Sequence, residues 1–220
     1  MNYNLGLQTK KTGRGSQFAT ALVLLCAFGA VTQAAAQRVT PPITPTDITP
    51  DVDNTAFLVG HAFGSQGYTC LPTSSGGTAW NPTARPEATL FANFFGQPVQ
   101  IITHFASINA NPSDPTKPVS LGGNATWQSS FDTSKVWAAA VGHIDAGSDA
   151  SCPNAGSIQC LLLKSIGNQE GPTGGKLFAK TTFVQRLNTN GGSVPTTSCS
   201  VGQTQLVPYT ADYFFFHGNE

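Results

Sequence analysis

An all-β fold is what this sequence predicts: an antiparallel sandwich or partly closed barrel of about eight or nine strands, stapled by disulfides. Three observations predict it. Short runs of alternating apolar and polar residues recur along the chain, separated by Gly, Pro, Ser and Asn clusters. Beyond residue 36 no stretch carries the period of an amphipathic helix. The closing run, LVPYTADYFFFH, is apolar on both faces, which places it inside a stack rather than at a wet edge.

Residues 1–36 have the make-up of a signal peptide. Lys10, Lys11 and Arg14 form a positive n-region and Phe18 to Val31 an apolar h-region, with Ala34, Ala35 and Ala36 as a small-residue cleavage site before Gln37. The apolar run is shorter than the roughly 20 residues a spanning helix needs, so no stable membrane span is expected in the mature chain. Cutting after residue 36 of 220 leaves 184 residues, enough for one domain with a real core. Lys+Arg and Asp+Glu each number 11; three bases leave with the signal, so 8 stand against 11, a net charge near −3. A sparsely charged, mildly acidic surface excludes nucleic acid and anionic membranes as partners, since both call for clustered Lys and Arg.

Residues 37–54, rich in Pro, Thr and Asp, read as an extended linker, and residues 55–220 as a single β-domain. In its first strand Phe57, Val59, His61 and Phe63 share a face. Ser65, within GSQG, reads as a turn serine before the short run GYTCL. Residues 87–94 and 98–105 form a hairpin across Phe95, Gly96 and Gln97. Residues 125–130 and 135–143 follow, the second placing Trp137, Ala139, Val141 and His143 together. CLLLKSI fits a strand or a short buried helix equally. Residues 175–189 and 206–217 close the domain.

Cys26 leaves with the signal, and four cysteines stay. An even number in an exported chain reads as two disulfides, for which three connectivities exist. The favoured one joins Cys152 to Cys160 across a short polar loop and Cys70 to Cys199 between the first and last strands. No C-x-x-C occurs, and His61, His104, His143 and His217 form no i, i+2 or i, i+4 pair, so neither metal nor cofactor is expected.

Candidate chemistry is thin. No G-x-S-x-G or S-x-x-K signals a nucleophile. Arg186 and Asp212 each lie in a strand that looks buried, and a buried charge is costly unless paired, so a structural ion pair between them is expected. His104, His143, Asp145 and Trp127 are the weak candidates for a site, His143 and Asp145 because they share a strand face. Trp80, Trp127 and Trp137 sit among amides and hydroxyls, as on a sugar-binding face, although packing in a core is the commoner use of tryptophan.

The texts VQRLNTNGGSVPTTSC and VPYTADYFFF, with GSQGYTC, PEATL, ITHF and ATWQSSFDTSKVWA before them, resemble domain-of-unknown-function family 3455, a family of exported fungal and bacterial proteins. The resemblance runs from about Phe57 to Phe216. It implies export and a β-rich fold, and it supplies no activity. The expectation is therefore an exported binding or structural module of the cell exterior or periplasm, with an unidentified extracellular or envelope ligand such as a polysaccharide. The alternative is an exported hydrolase built on His104 or His143 with a carboxylate. Loops 109–123 and 145–160 are the expected places for a site.

Overall fold

The computed structural model of the chain describes residues 39–107 and 123–219. The signal-like segment with Cys26, and all of loop 109–123 but Gly123, lie outside the described residues. Among the described residues a single 3-10 turn (Thr46–Ile48) precedes nine strands: β1 (Asn54–Pro72), β2 (Thr78–Trp80), β3 (Arg85–Phe94), β4 (Gln97–Ser107), β5 (Asn124–Ser129), β6 (Lys135–Ile144), β7 (Cys160–Gln169), β8 (Thr181–Gly191) and β9 (Thr204–Gly218). No helix among the described residues is long and apolar enough to cross a membrane.

Every strand pairing is antiparallel. The order runs β1-β3-β4-β5-β6-β7-β8-β9 and returns on itself, because β1 also pairs with β9 from Asn54↔Gly218 to Thr69↔Thr204. Eight strands thus make a ring, the barrel rather than the sandwich, with β2 a short flap on the far end of β1. The ring is thinnest between β5 and β6 and between β7 and β8, whose registers run only from Ala125↔Ala138 to Gln128↔Lys135 and from Leu161↔Arg186 to Lys164↔Phe183. A barrel of this size is just wide enough for side chains to fill it or for one small ligand to enter.

Period-two alternation explains why β9 is apolar on both faces. Tyr209, Ala211, Tyr213 and Phe215 face the interior, where they meet Leu90, Ile102, Trp127 and Val136. Phe214 and Phe216 belong to a second cluster outside the wall, with Leu162, Phe183, Leu187 and Ile48. That outer face is dry because the segment before β1 lies on it. Ile48 is fully buried there, and Gln185 Nε2 donates to the Ile48 carbonyl at 2.7 Å. Gly142 permits the approach, since a Cβ in its place would overlap the Asp47 carbonyl oxygen. The stretch that reads as a linker is extended, and it is also a strap on the barrel wall.

Two details depart from the sequence reading. GSQG is not a turn: β1 runs through it without a break. Gly64 sits where any Cβ would strike the Glu87 carbonyl and Ala88 on β3, so the glycine marks close strand approach rather than chain reversal. Residues 175–180, expected as the start of a strand, are irregular and turn structure leading into β8, while CLLLKSI is strand rather than helix, the first part of β7.

Both disulfides have the favoured connectivity. Cys70–Cys199 (S–S 2.06 Å) ties the end of β1 to the β8–β9 loop, and Cys152–Cys160 (2.03 Å) closes the β6–β7 loop. Such bonds persist in oxidising compartments. Both sit at the rim where β1, β4, β6 and β8 end, which is termed the mouth below.

Candidate functional site at the barrel mouth

The mouth holds a cavity of about 520 Å³. Its wall is set by strand alternation: Gln66 and Tyr68 from β1, His104 from β4, Trp127 from β5, Arg186 from β8 and Tyr213 from β9. Residues 157–159 of the β6–β7 loop and Ser193 and Val194 of the β8–β9 loop form its edge. These loops are held to each other and to the wall. Tyr68 Oη donates to the Gly192 carbonyl at 2.6 Å, Gly191 N–H to Ser157 Oγ at 2.9 Å, and Ile158 N–H to the Gly191 carbonyl at 3.0 Å.

His104 lies on the cavity floor, stacked on Trp127 with ring centroids 4.3 Å apart and planes within 5°. Its Nδ1 is 2.8 Å from the Thr126 carbonyl, which can only accept, so Nδ1 carries the proton and Nε2 is left as an acceptor. Burial pushes its pKa down to about 3; the bond to Thr126 opposes the shift and the charge of Arg186 adds to it. This histidine is neutral at ordinary pH. Tyr209 and Tyr213 share a 3.1 Å hydroxyl contact, and burial, then the neighbouring Tyr213, drives the Tyr209 phenol far above its usual range. Burial likewise raises Tyr68, against the pull of Arg186.

Among the described residues Arg186 is the one strong charge in this cavity wall. Its Nε and Nη2 donate to the Gln159 carbonyl at 3.2 and 2.8 Å, and Gln159 Nε2 in turn donates to Asp145 Oδ1 at 2.8 Å. Among the described residues no Asp or Glu lines the cavity. Two buried donors on its wall, Gln66 Nε2 and Trp127 Nε1, have no hydrogen-bond partner. Such orphans are rare in folded proteins and call for a cause.

The expected Arg186–Asp212 ion pair is absent, and strand parity is the reason. Arg186 stands opposite Tyr213, whose face is interior, whereas Asp212 stands opposite Leu187, which belongs to the outer cluster. On the outer wall Asp212 accepts from Asn188 Nδ2 at 2.7 Å and meets His61 Nδ1 at 2.6 Å. Asn188 reaches it from a β-bulge in β8, at a φ of 51° that asparagine tolerates better than most residues.

The other candidates divide. His104 and Trp127 come together in the cavity. Asp145 touches it only through Gln159, and His143 is exposed at the end of β6, not hydrogen-bonded to Asp145. Trp80, Trp127 and Trp137 are all buried, so they form no exposed sugar platform. Among the described residues no group of three or more His, Cys, Asp or Glu could hold a metal ion. Sequence reasoning passed over Gln66 and Tyr68; the alternation Ala62, Gly64, Gln66, Tyr68, carried through GSQG, was the available signal.

A second hollow, about 730 Å³, lies at the opposite rim between Phe57, Leu177, Lys176, Lys180 and His217. It is larger, but none of the buried orphan groups borders it, and its Lys176 is paired with Glu170 at 3.3 Å. Volume alone therefore does not rank these cavities, whereas unmet hydrogen bonding favours the mouth.

Residues 51–217 match the family model described as "Protein of unknown function (DUF3455)", and the chain belongs to that family. No curated protein and no solved structure matches it.

Proposed function

We propose that this DUF3455 member is an exported binding module that takes a small molecule into the mouth of its barrel. The observation that carries the reading is the pair of buried, unpartnered donors, Gln66 Nε2 and Trp127 Nε1, on residues of a cavity wall that is mostly rings and aliphatic side chains, with Arg186, Gln159, Ser157 and Ser193 as its other polar members. Cavities of about 300–1,000 Å³ with an apolar lining and a few convergent polar groups are the usual form of small-molecule sites. An enclosed ligand fits this geometry better than a polysaccharide strand, because the tryptophans that would stack on sugars are buried. Export rests on the signal-like first 36 residues and the two disulfides.

The hydrolase reading has one contact in its favour, the His61–Asp212 pair on the outer wall. It has none at His104, since among the described residues no carboxylate shares that cavity. A binding module is the better supported of the two.

Trp127 supplies the test. A library of small amphiphilic molecules is screened by tryptophan emission and by thermal shift, with Trp127→Phe as the control for the optical signal. A ligand at 100 times its Kd stabilises by about 2.7 kcal/mol, or roughly 5–10 °C in a domain of this size. Should nothing in the library move either signal, and a crystal structure show the mouth filled by the protein's own side chains, the binding reading fails.

A further inference from the structure

We infer that the mouth selects a monoanion, and that Arg186 is its anchor: the ligand carries a carboxylate that pairs with the free edge of this guanidinium while its apolar body lies against Trp127 and Tyr213. The inference rests on the binding reading above and adds the charge of what is bound.

The geometry of Arg186 leads to it. A guanidinium has five N–H donors in a fixed plane. The Gln159 carbonyl takes one from Nε and one from Nη2. Two on Nη1 and one on Nη2 are left, and that Nη1/Nη2 edge is the fork that a planar carboxylate matches with two parallel hydrogen bonds. Gln159 is itself held through its side chain by Asp145, so the fork is oriented before any ligand arrives.

Charge balance points the same way. Arg186 is partly buried and, among the described residues, it forms no salt bridge with an acid and no Asp or Glu borders the cavity. Tyr68 and Tyr209 stay neutral, because burial raises both. His104 stays uncharged as well, so one positive charge faces the cavity rather than two. A partly desolvated cation without a counter-ion is unfavourable, and a ligand bearing one negative charge removes the penalty. A dianionic phosphate would over-compensate it, whereas a carboxylate matches it.

The remaining unmet groups are donors too. Gln66 Nε2 and Trp127 Nε1 have hydrogens to give and nothing to receive them. An acid brings acceptors and charge together, which suits these two donors and the guanidinium.

The experiment compares three acids, benzoate, 3-phenylpropionate and octanoate, each with its own primary amide at pH 7, by isothermal titration calorimetry on the full mature protein. At least one acid is expected to bind wild type about tenfold or more tightly than its amide. Arg186→Gln is expected to abolish that preference by weakening the acid far more than the amide, and Arg186→Lys to retain part of it, since a point charge lacks the fork. The acid/amide comparison on wild type needs no variant, so a poorly folding Arg186→Gln does not spoil the test. Equal binding of acid and amide overturns the anchor and leaves the small-molecule reading standing. Tighter binding of inorganic phosphate than of every acid overturns the monoanion assignment. A preference for acids that survives unchanged in Arg186→Lys and Arg186→Gln overturns the role of Arg186. If no acid or amide binds while other members of the library do, the anchor fails alone; if nothing binds at all, both readings fall.

Discussion

At the mouth of this barrel two disulfides brace loops around a cavity of about 520 Å³ whose wall holds an uncompensated arginine and two idle donors. At the opposite rim a hollow of about 730 Å³ is bordered by a paired lysine and glutamate and closed by turns that satisfy themselves. There Asp132 accepts from Ser134 Oγ at 2.7 Å and from the Leu177 N–H at 2.9 Å, Thr182 Oγ1 donates to Asn54 Oδ1, and Thr55 Oγ1 to Asn219 Oδ1. The contrast separates two uses of polar residues. Around the far hollow these groups finish the fold, and the unpartnered Thr181 Oγ1 and Trp137 Nε1 at that end do not line it. At the mouth, by contrast, the unpartnered donors belong to residues of the cavity wall. Rigid loops around unmet hydrogen-bonding demand are a better mark of a site than the larger empty space.

The difference can be broken most forcefully at the braces. Replacing Cys70 and Cys199 by Ser opens a 129-residue separation, for which the chain-entropy account gives a loss of about 4–5 kcal/mol. Thermal denaturation should show a fall of roughly 10–15 °C. A fall under about 3 °C would mean that the mouth is held by its hydrogen bonds alone.

Acid should loosen the two ends in different pH windows. His104 takes its proton near 6.5 when the chain is unfolded but only near 3 in the fold, so the unfolded state binds more protons between these values. Stability conferred at the mouth is therefore complete above pH 6.5 and is lost as pH falls toward 3, by at most about 1.4 kcal/mol per pH unit. At the far rim, burial of Asp132 opposes ionisation, but the bond from Leu177 N–H and those from Ser134 and Ser129 outweigh it and hold its pKa down at about 2. Its contribution is present above pH 3.8 and goes only between there and pH 2. Denaturant titrations from pH 7 to 3 should show a slope for wild type that flattens in His104→Asn, whose amide can still donate to Thr126. An unchanged slope would mean that His104 is not the titrating group.

The smallest effect sharpens the other side. Asp132→Ala removes acceptors from backbone N–H groups at the far rim and should cost about 1–3 kcal/mol, without altering ligand affinity at the mouth. Urea denaturation and calorimetry on the same sample measure both; a shift in affinity of more than about threefold would show that the ends are coupled.

Much of this was legible in the chain. The alternation of Tyr209, Ala211, Tyr213 and Phe215 against Phe214 and Phe216 marks β9 as dry on both sides, and it is. What covers its outer side was not legible, because residues 39–53 carry no periodic pattern and depend on the single buried Ile48. Strand register was also hidden. A shift of one residue exchanges the faces of a whole strand, and the Arg186–Asp212 pair was inferred without knowing that Leu187, not Arg186, stands opposite Asp212. The cavity escaped for a related reason. Gln66 becomes a wall residue only if GSQG is strand, and its two glycines look like punctuation until a neighbouring strand is seen pressed against one of them.

The pairing of β1 with β9 has a kinetic consequence. It joins residues as far apart in sequence as Asn54 and Gly218, so the contacts that close the ring are among the least local the domain makes. Chains dominated by such contacts fold slowly, in milliseconds to seconds, because the loop entropy must be spent before the pairing repays it. Until β9 arrives, β1 and β8 both present open edges on which another chain can pair. The interval between making the first strand and placing the last is thus the time at which this protein is most exposed to aggregation, and a prolonged wait there harms it more than any single lost contact in the finished barrel.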